Sequence, residues 1–424
     1  MSSSLIPRPP DAPDLAMLPT LRAGGQDAVS ARGAHALAGR TILQIVPELQ
    51  AGGAERTTVD IAEALASLGA RSLVATAGGR LVAELQAKGG VWLPFPAAEK
   101  NPFKMLRNIR VLSRLCAAEK VDLVHARSRA PAWVALAATR AMKLPFVTTY
   151  HGSYSGSSAI KVLYNSVMAR GDVVIANSHY TAGLIASMHP FAKHRTRVIH
   201  RGTDFSSYRP DAVEPERISA LRRAWGVEPD QRIILLAGRL TGWKGQRVLI
   251  EAARLMKQSG ALGDAVVVLA GDAQGRNDYV AELDGLIAAG GLERVVRRVG
   301  HCADMPAAFL ASAVVAAPST EPEAFGRVAV EAQAMGAPVV VSDLGAVPET
   351  VLAPPQCTAQ ERTGWRVPAG DASALARALE EALALRPSAR DALARRARSH
   401  VEARFSLQHM VGETLDVYSA LLGG

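Results

Sequence analysis

The sequence Glu323-Ala-Phe-Gly-Arg-Val-Ala-Val-Glu331 runs directly into Ala332-Gln-Ala-Met-Gly336-Ala-Pro338-Val-Val-Val341. An apolar run, Ala313 to Ala317, precedes it, so the order is strand, polar loop, helix and strand, which is the repeating unit of a parallel sheet. On one continuous helix, eight steps of about 100° each would leave Glu323 and Glu331 on different faces. We therefore expect Glu323 in the loop and Glu331 within the helix, each with its own contacts.

The start of this helix predicts an anion site. Phe325 and Gly326 stand where several backbone N–H groups lack intrahelical partners, beside the positive end of the helix dipole. A buried Glu331 that faces back toward the loop could accept hydrogen bonds from paired hydroxyls, such as those of a ribose. The alternatives are a loop carboxylate near Arg327 for Glu323 and a surface helical residue for Glu331.

Alternating apolar runs and periodic segments continue in both directions from this unit and predict an α/β fold with two doubly wound parallel sheets. A final amphipathic helix is predicted over Leu407 to Leu422, with Val411, Leu415 and Tyr418 on its apolar stripe. The predicted strands of the two halves are Thr41 to Val46, Arg71 to Ala75, Val121 to His125, Phe146 to Tyr150, Val173 to Asn177 and Arg197 to His200, then Arg232 to Ala237, Ala265 to Ala270, Val295 to Val299, Ala313 to Ala317, Pro338 to Ser342 and Gly364 to Val367.

Length and charge limit the kinds of protein that this chain can be. A chain of 424 residues exceeds what one hydrophobic core usually supports, so two domains are expected. A net charge of +9 favours anionic partners such as nucleotide diphosphates, phospholipid surfaces or nucleic acid. Because only 5% of the residues are aromatic, a base-stacking platform is poorly supported, and we expect no nucleic-acid partner.

The cysteines and the N-terminal segment indicate a cytoplasmic protein. Cys116, Cys302 and Cys357 show no paired metal spacing and cannot form a disulfide framework, which is typical of a reducing compartment. No run of about 18 uncharged apolar residues predicts a spanning helix. Residues 1–39 are rich in Ser, Pro, Ala and Gly, lack the apolar block of a secretory signal, and are interpreted as a disordered extension.

A second loop with phosphate-binding character opens the second half of the chain. Gly238-Arg239-Leu-Thr-Gly242-Trp-Lys244-Gly245 follows the predicted strand Arg232 to Ala237 and leads into a helix. Its glycines allow close backbone approach, while Arg239 supplies a planar fork and Lys244 a point charge for a diphosphate. The alternative is a tight turn that carries a solvated charge pair.

The chain resembles the retaining glycosyltransferases of family 4 in its E-x7-E signature, Glu323 to Glu331, and in the Gly-Arg and Lys-Gly elements about 80 positions upstream. The resemblance extends from Thr41 to Leu422. It implies the GT-B architecture, in which two Rossmann-like domains face each other across a cleft and the C-terminal helix crosses back to the first. The implied divisions are 40–205 for the acceptor-side domain, 206–230 for a linker, 231–403 for the nucleotide-sugar domain and 404–424 for the crossover helix.

The resemblance also implies an activity and roles. The enzyme would move a hexosyl group, with retention, from a nucleotide-diphosphate sugar to a hydroxyl of a glycan or lipid-linked acceptor, in lipopolysaccharide or other cell-envelope synthesis. Arg239 and Lys244, beside Gly238, would hold the diphosphate, Glu323 would contact the donor sugar and Glu331 the ribose. No cofactor or metal would be essential, because the cationic side chains stabilise the leaving group.

Two strand ends in the first half carry further candidates. Gly52 and Gly53 lie between a predicted strand and helix, where the family places a loop beside the donor phosphates; a plain turn is the alternative. His151 ends the predicted strand Phe146 to Tyr150, and the resemblance implies that it orients the donor sugar and does not act as a strong base. A satisfied structural histidine is the alternative.

The acceptor side is indicated by charge alone. Arg127 and Arg129 follow a predicted strand and could bind a phosphorylated or otherwise anionic acceptor, although solvated loop charges explain them equally well. Residues 101–120 form an amphipathic basic helix, typical of peripheral binding to an anionic membrane at the inner face of the plasma membrane, or equally of an ordinary helix that buries one stripe. The predicted apolar side comprises Leu106, Ile109, Leu112 and Cys116, and the basic side comprises Lys104, Arg107, Arg110 and Arg114.

The sequence is also compatible with two other functions, a GT-B epimerase of sugar nucleotides and a non-catalytic basic adaptor for nucleic acid or membranes.

The sequence departs from the family pattern at two positions. Arg201 stands where the family often has asparagine, and Gln333 interrupts the usual sequence of the signature helix. Asp343 and Glu349 are expected to cap or support the helix that follows Pro338 to Ser342.

Overall fold

The computed structural model describes residues 36–50, 52–152 and 158–423. The residues are arranged as two parallel sheets with helices on both faces of each. The strands are β1 (Thr41–Ile45), β2 (Arg71–Thr76), β3 (Val91–Pro94), β4 (Leu123–Ala126), β5 (Phe146–Tyr150), β6 (Val173–Ala176), β7 (Thr196–Val198), β8 (Arg232–Ala237), β9 (Ala265–Ala270), β10 (Val296–Gly300), β11 (Val314–Ala317), β12 (Val339–Ser342) and β13 (Trp365–Val367).

The helices alternate with these strands along the chain. They are α1 (Gly53–Ser67), α2 (Val82–Ala87), α3 (Pro102–Ala118), α4 (Arg129–Met142), α5 (Ala159–Asn165), α6 (His179–Met188), α7 (Pro215–Ala224), α8 (Gln246–Ser259), α9 (Asn277–Ala289), α10 (Met305–Ala311), α11 (Arg327–Ala334), α12 (Val347–Thr350), α13 (Ala372–Leu383), α14 (Pro387–Phe405) and α15 (Leu407–Leu421). Among these described helices, none combines the length and apolar character that spanning a bilayer requires.

Both sheets have the doubly wound topology that the sequence predicts. The first has strand order β3-β2-β1-β4-β5-β6-β7 and the second β10-β9-β8-β11-β12-β13, with parallel pairing between the neighbours. The winding direction reverses between β1 and β4 and again between β8 and β11. Such a reversal opens a crevice at the carboxyl ends of the strands, where ligands bind in sheets of this kind.

The central strands are mostly apolar because helices cover both faces of each sheet. In β8, Ile233 and Leu235 point into one core cluster, and Ile234 and Leu236 into another on the opposite face. This alternation follows from the two-residue period of a strand. The strand β3 has no counterpart among the predicted strands; it is a four-residue edge strand that ends at Pro94, and its residues are exposed or only half-buried.

The last helix returns to the first domain, as expected for the GT-B architecture. Met410, Leu415 and Tyr418 of α15 pack with Ile42 and Val147 of the first sheet in one buried cluster. The outgoing and returning chain segments lie side by side, since the Thr203 N–H donates to the Phe405 carbonyl at 2.8 Å and the Leu407 N–H donates to the Thr203 carbonyl at 2.9 Å. The predicted fold class is confirmed.

Two domain boundaries differ from the prediction. Val213, Trp225 and Val227 are buried in the core of the second domain, so the linker predicted over 206–230 is too long and α7 is part of that domain. Three prolines and mixed charge made this segment resemble a connection. Residues 1–35 of the predicted disordered extension lie outside the described residues, whereas Leu37 is buried against the first sheet, so the fold begins before residue 40.

Candidate active site

A cationic and an anionic side chain from separate strand ends meet in the second domain. Lys244 Nζ lies 2.8 Å from Glu323 Oε1, and their side chains are only 17% and 14% exposed. Lys244 follows β8 and Glu323 follows β11, the two strands between which the winding reverses. The structure thus brings two predicted site residues, 79 positions apart, into direct contact at the topological switch point.

Close backbone packing brings these two loops together. Gly245 has φ +80°, and a Cβ there would lie 1.9 Å from the Pro318 carbonyl oxygen, so the position requires glycine. The Thr320 N–H also donates to the carbonyl of Trp243 at 2.8 Å, while Lys244 Nζ lies 4.4 Å from the centre of the Trp243 ring. The loop after β8 is therefore held against the loop after β11.

Arg239 lies in the same loop with its side chain available for a ligand. The residue is exposed, and its guanidinium makes no hydrogen bond or ion pair to any described residue. Its backbone carbonyl accepts a hydrogen bond from Gln246 Nε2 at 2.9 Å, which ties the loop to the first turn of α8. A Cβ on Gly238 would lie 3.7 Å from the Lys244 side chain. This backbone thus passes close to both cations.

The carboxylate of Glu323 is oriented by its surroundings. Ser319 Oγ donates to Glu323 Oε1 at 2.6 Å, a contact that was not predicted although Ser319 lies just after a strand. The Glu323 carbonyl accepts from the Ala346 N–H at 2.9 Å, and Gly345, with φ +69°, allows this approach. Glu323 therefore stands in a loop braced on both sides. The alternative, a loop carboxylate beside Arg327, is not observed, because Arg327 contacts Glu331.

Glu331 lies in the helix that follows, and it is buried. Its side chain is 7% exposed and its Oε1 accepts two hydrogen bonds from Arg327, at 3.1 and 2.7 Å, so the surface alternative is wrong. Gly326, with φ +82°, caps the start of this helix. Phe325 is buried and its ring meets that of Phe405 edge-on at 5.3 Å. The Phe325 side chain therefore packs in the core, and only its backbone can face a ligand.

His151 of the first domain faces the Glu323 loop across the cleft. A Cβ on Gly152 would lie 3.2 Å from the Cβ of Ala324, so the two loops nearly touch. Burial, with a further contribution from the cations Arg127 and Arg201, lowers the pKa of His151 to about 3. Its buried Nε2 has no hydrogen-bond partner among the described residues. The ring is neutral at pH 7 and a weak base, so it can orient a ligand by hydrogen bonding.

Gly52 and Gly53 lie at the start of α1, as predicted. Gly52 is the cap residue of this helix, and its N–H donates to Glu55 Oε2 at 2.5 Å. A Cβ on Gly53 would lie 1.4 Å from Nη2 of Arg201, so the arginine occupies the space that any other residue would fill. The sequence alone did not identify Arg201 as a neighbour of this loop.

Arg127 and Arg129 are not solvated loop charges. Arg127 is 4% exposed and donates to Gln44 Oε1 from Nε at 3.1 Å and from Nη2 at 2.9 Å. Arg129 donates to Asn165 Oδ1 at 2.8 Å and lies over the ring of Tyr164. Both line a cleft of about 360 Å³ in front of α1, which His151 and Arg201 also line. The predicted acceptor arginines therefore border a cleft, but each already has protein partners.

Glu349 connects the two domains, which corrects the expectation that it supports its own helix together with Asp343. Its carboxylate accepts from the His179 and Tyr180 N–H groups, both at 2.8 Å, at the start of α6 in the first domain. His200 Nε2 lies 2.9 Å from the same carboxylate. Burial raises the pKa of Glu349, but these hydrogen bonds outweigh it and hold the pKa below its ordinary value. Asp343 instead lies 3.6 Å from Arg366.

Two family models match the chain, one in each domain. Glycosyltransferase Family 4 matches residues 51–207, and Glycosyl transferases group 1 matches residues 218–400. The boundary between them falls in the segment that joins the two sheets.

Known proteins resemble the chain in sequence and in structure. A D-inositol 3-phosphate glycosyltransferase of Saccharomonospora viridis is 32% identical over 257 residues, which are 59% of this chain and 56% of that relative, so the match spans little more than half of its length. A glycosyltransferase structure from Rickettsia africae has 31% identity and a TM-score of 0.82, covering 91% of this chain and 99% of its own. The structure of Anabaena HepE with UDP-glucose has 27% identity, a TM-score of 0.74, and coverage of 90% and 99% respectively.

Proposed function

Because the chain belongs to glycosyltransferase family 4, we propose that it transfers a sugar from a nucleotide-diphosphate sugar to a hydroxyl group of a glycan or lipid-linked acceptor. The observation that carries this proposal is the contact between Lys244 and Glu323 at the switch point of the second sheet. A cation for a departing diphosphate and a carboxylate for sugar hydroxyls are the two groups that such a transfer needs side by side.

The donor would lie along the second domain. Arg239 and Lys244 bind the diphosphate, with the glycine backbone at Gly238 allowing close approach. Glu323 accepts hydrogen bonds from the sugar hydroxyls, and Glu331, whose Oε1 accepts from Arg327, accepts from the ribose through Oε2. The amides at Gly326 add to the positive potential at the start of α11. HepE, a similar protein, was solved with UDP-glucose, so a UDP-sugar is the first donor to test.

We propose retention of configuration through attack on the face from which the diphosphate leaves. Negative charge grows on the departing phosphoryl oxygen, where Arg239 and Lys244 stabilise it, and that oxygen takes the proton of the attacking hydroxyl. His151 is neutral and accordingly positions the donor sugar without removing this proton. Gly52 and Gly53 border the phosphates from the first domain.

The acceptor would enter from the first domain, because the cleft in front of α1 is lined by polar and cationic side chains that suit hydroxyl-rich or anionic groups. We propose that the transfer serves cell-envelope or lipopolysaccharide synthesis. The Saccharomonospora viridis relative is named for an inositol phosphate, which makes a phosphorylated polyol a second acceptor class to test.

We expect the true donor, within a panel of nucleotide sugars, to raise the unfolding temperature of the protein, because a ligand that binds only the folded state stabilises that state in proportion to occupancy. The measurement is thermal shift with uracil, guanine and adenine diphosphate sugars, followed by release of nucleoside diphosphate with and without candidate acceptors. Release that depends on the acceptor supports the transferase. Donor consumption without any acceptor would indicate the epimerase, and no saturable nucleotide binding would leave only the adaptor.

The exposed face of α3 supports peripheral membrane binding, although it differs from the predicted one. Leu112 and Cys116 are buried in the core, whereas Leu106 is 62% exposed and Phe103 81% exposed. Leu106 therefore does not belong to the buried stripe that the sequence predicts. These exposed apolar side chains, together with Val111, stand among basic residues, which suits an anionic bilayer. The basic residues of this helix are Lys104, Arg107, Arg110 and Arg114.

We expect Phe103→Ser combined with Leu106→Ser to weaken binding to vesicles that contain anionic lipid by about tenfold or more, because each large apolar side chain loses about 1.5–3 kcal/mol of burial. Sedimentation with phosphatidylserine vesicles, compared with phosphatidylcholine alone, measures this. The control is Leu286→Ser, which alters an exposed leucine of the second domain. Equal vesicle binding by all variants would contradict a role for this face.

A further inference from the structure

Two histidines of the first domain and one carboxylate of the second meet where the domains touch. His179 is the first residue of α6, His200 follows β7, and Glu349 lies in α12. Each residue offers one ligand atom, and these three atoms all lie within 4.8 Å of one another. The proposed transfer uses none of the three residues, and none of them lines the cleft in front of α1. The cluster is therefore a separate feature of the molecule.

The ligand set suits Zn²⁺. Two imidazole nitrogens and one carboxylate oxygen are ligands that this ion accepts, with a fourth position left to a water molecule. A tetrahedral ion with bonds of about 2.1 Å holds its ligand atoms about 3.4 Å apart. His200 Nε2 lies 2.9 Å from Glu349 Oε2, and no separation in the cluster exceeds 4.8 Å. Side-chain adjustments of about 1 Å therefore bring all three atoms to one ion.

Contacts outside the cluster hold two of the three ligands in place. The Glu349 carboxylate accepts from the His179 and Tyr180 N–H groups, both at 2.8 Å, which fixes its orientation. The ring of His200 meets that of Phe405 edge-on, with 5.3 Å between the ring centres. The side chains of His200 and Glu349 are 22% and 17% exposed, whereas His179 is exposed and gives an ion access from solvent. The cluster is thus held in position and open on one side.

The charges around the cluster permit a cation. Arg404 interacts electrostatically with His179, and the carboxylate of Glu413 does so with His200, so these two outer charges oppose each other. Glu349 supplies the remaining negative charge. On binding, an ion takes the place of the hydrogen between His200 Nε2 and Glu349, and the neutral ring carries its hydrogen on Nδ1 instead.

We propose that His179, His200 and Glu349 bind a divalent transition-metal ion, Zn²⁺, and that the bound ion fastens the second domain to the first. Two ligands come from one domain and one from the other, so the full set exists only while the domains keep the arrangement of this structure. By linkage, an ion that binds this arrangement more tightly than others stabilises it. The inference goes beyond the proposed transfer and does not depend on it, because that reaction assigns no role to these residues.

Zinc chloride is the probe, titrated by calorimetry into the full chain without nucleotide. We expect wild type to show one saturable site, and His179→Ala to weaken Zn²⁺ binding by about tenfold or more, because the ion loses one of three protein ligands. Only the backbone N–H of His179 contacts Glu349, so this variant keeps the hydrogen bonds between the domains. The matched control is His194→Ala, the same change at an exposed histidine of the first domain, which should leave the affinity unchanged.

Glu349→Ala tests the connection between the domains. A loss of about tenfold or more in this variant, matching that of His179→Ala, supports a site shared by both domains. Unchanged affinity in Glu349→Ala would show that the first domain alone holds the ion. If Glu349→Ala does not fold, Glu349→Gln carries this test, because its amide oxygen still accepts a backbone hydrogen bond but is a poorer zinc ligand than a carboxylate.

Two further results would overturn the proposal. Absence of saturable Zn²⁺ binding by wild type would show that the three residues form no metal site. Equal losses in His179→Ala and His194→Ala would show that zinc binds surface histidines without selecting this cluster.

Discussion

Replacing Lys244 with alanine is expected to lower kcat by about 10²- to 10³-fold, because a preorganised charge that stabilises a leaving group contributes on that scale. Lys244 Nζ is the cation that contacts Glu323 in the cleft, at 2.8 Å. Its removal deprives the departing diphosphate of a counter-charge and leaves the Glu323 carboxylate with Ser319 as a hydrogen-bond donor. Steady-state release of nucleoside diphosphate in the presence of acceptor measures the effect.

Glu323→Ala is expected to lower kcat on a similar scale, with the fold intact. The two residues act on one substrate and contact each other, so the double variant should lose less than the product of the single losses. Lys257→Ala is the control, since it makes the same change at an exposed position of α8, the helix that follows the Lys244 loop. Activity close to that of Lys257→Ala in both single variants would remove these residues from the active site.

The second large effect is on stability: Tyr418→Ala should reduce the free energy of unfolding by about 3–5 kcal/mol, the usual range for deleting a buried aromatic side chain. Tyr418 of α15 is fully buried beneath the first sheet, among Ile42, Leu123 and Val147. Its hydroxyl lies 2.5 Å from Nδ1 of His125. Burial holds the pKa of His125 well below its ordinary value, so the ring is neutral and depends on this hydrogen bond.

Urea unfolding followed by circular dichroism, with wild type as the reference, tests this. Tyr418→Phe retains the ring and should cost about 1–3 kcal/mol, because Nδ1 of His125 is left without its partner. Tyr164→Phe alters a tyrosine that is 37% exposed and should have little effect. A loss below about 1 kcal/mol for Tyr418→Ala would mean that the crossover helix is not integral to the first domain.

Much of the site could be located from the sequence because one rule governs parallel sheets: ligands lie where strands end. Glu323, Lys244 and His151 each follow an apolar run that forms a strand, so their neighbourhood was predictable. The rule says nothing about partners. Glu349 follows a strand too, yet it contacts the backbone of His179 in the other domain, 170 positions away.

Faces and burial were the less predictable features. The helix predicted over 101–120 contains enough apolar residues to give it two possible buried faces. Only its packing in the folded domain shows that Leu112 is buried and Leu106 is exposed. Arg127 resembled a surface charge because short polar segments around strands are usually solvated. Its burial depends on Gln44, which enters from β1, a strand 83 positions earlier.

The sequence by itself determined the two doubly wound sheets, the positions of most of their strands along the chain, and the loops that carry Glu323, Arg239 and Lys244. Periodicity and glycine placement act over a few residues, and the chain records them locally. Only the tertiary structure decided that Lys244 meets Glu323, that Arg201 rests on Gly53, and that Glu349 contacts the other domain. These contacts depend on how distant segments pack, and the energies that select them come from burial and charge pairing that no local pattern specifies.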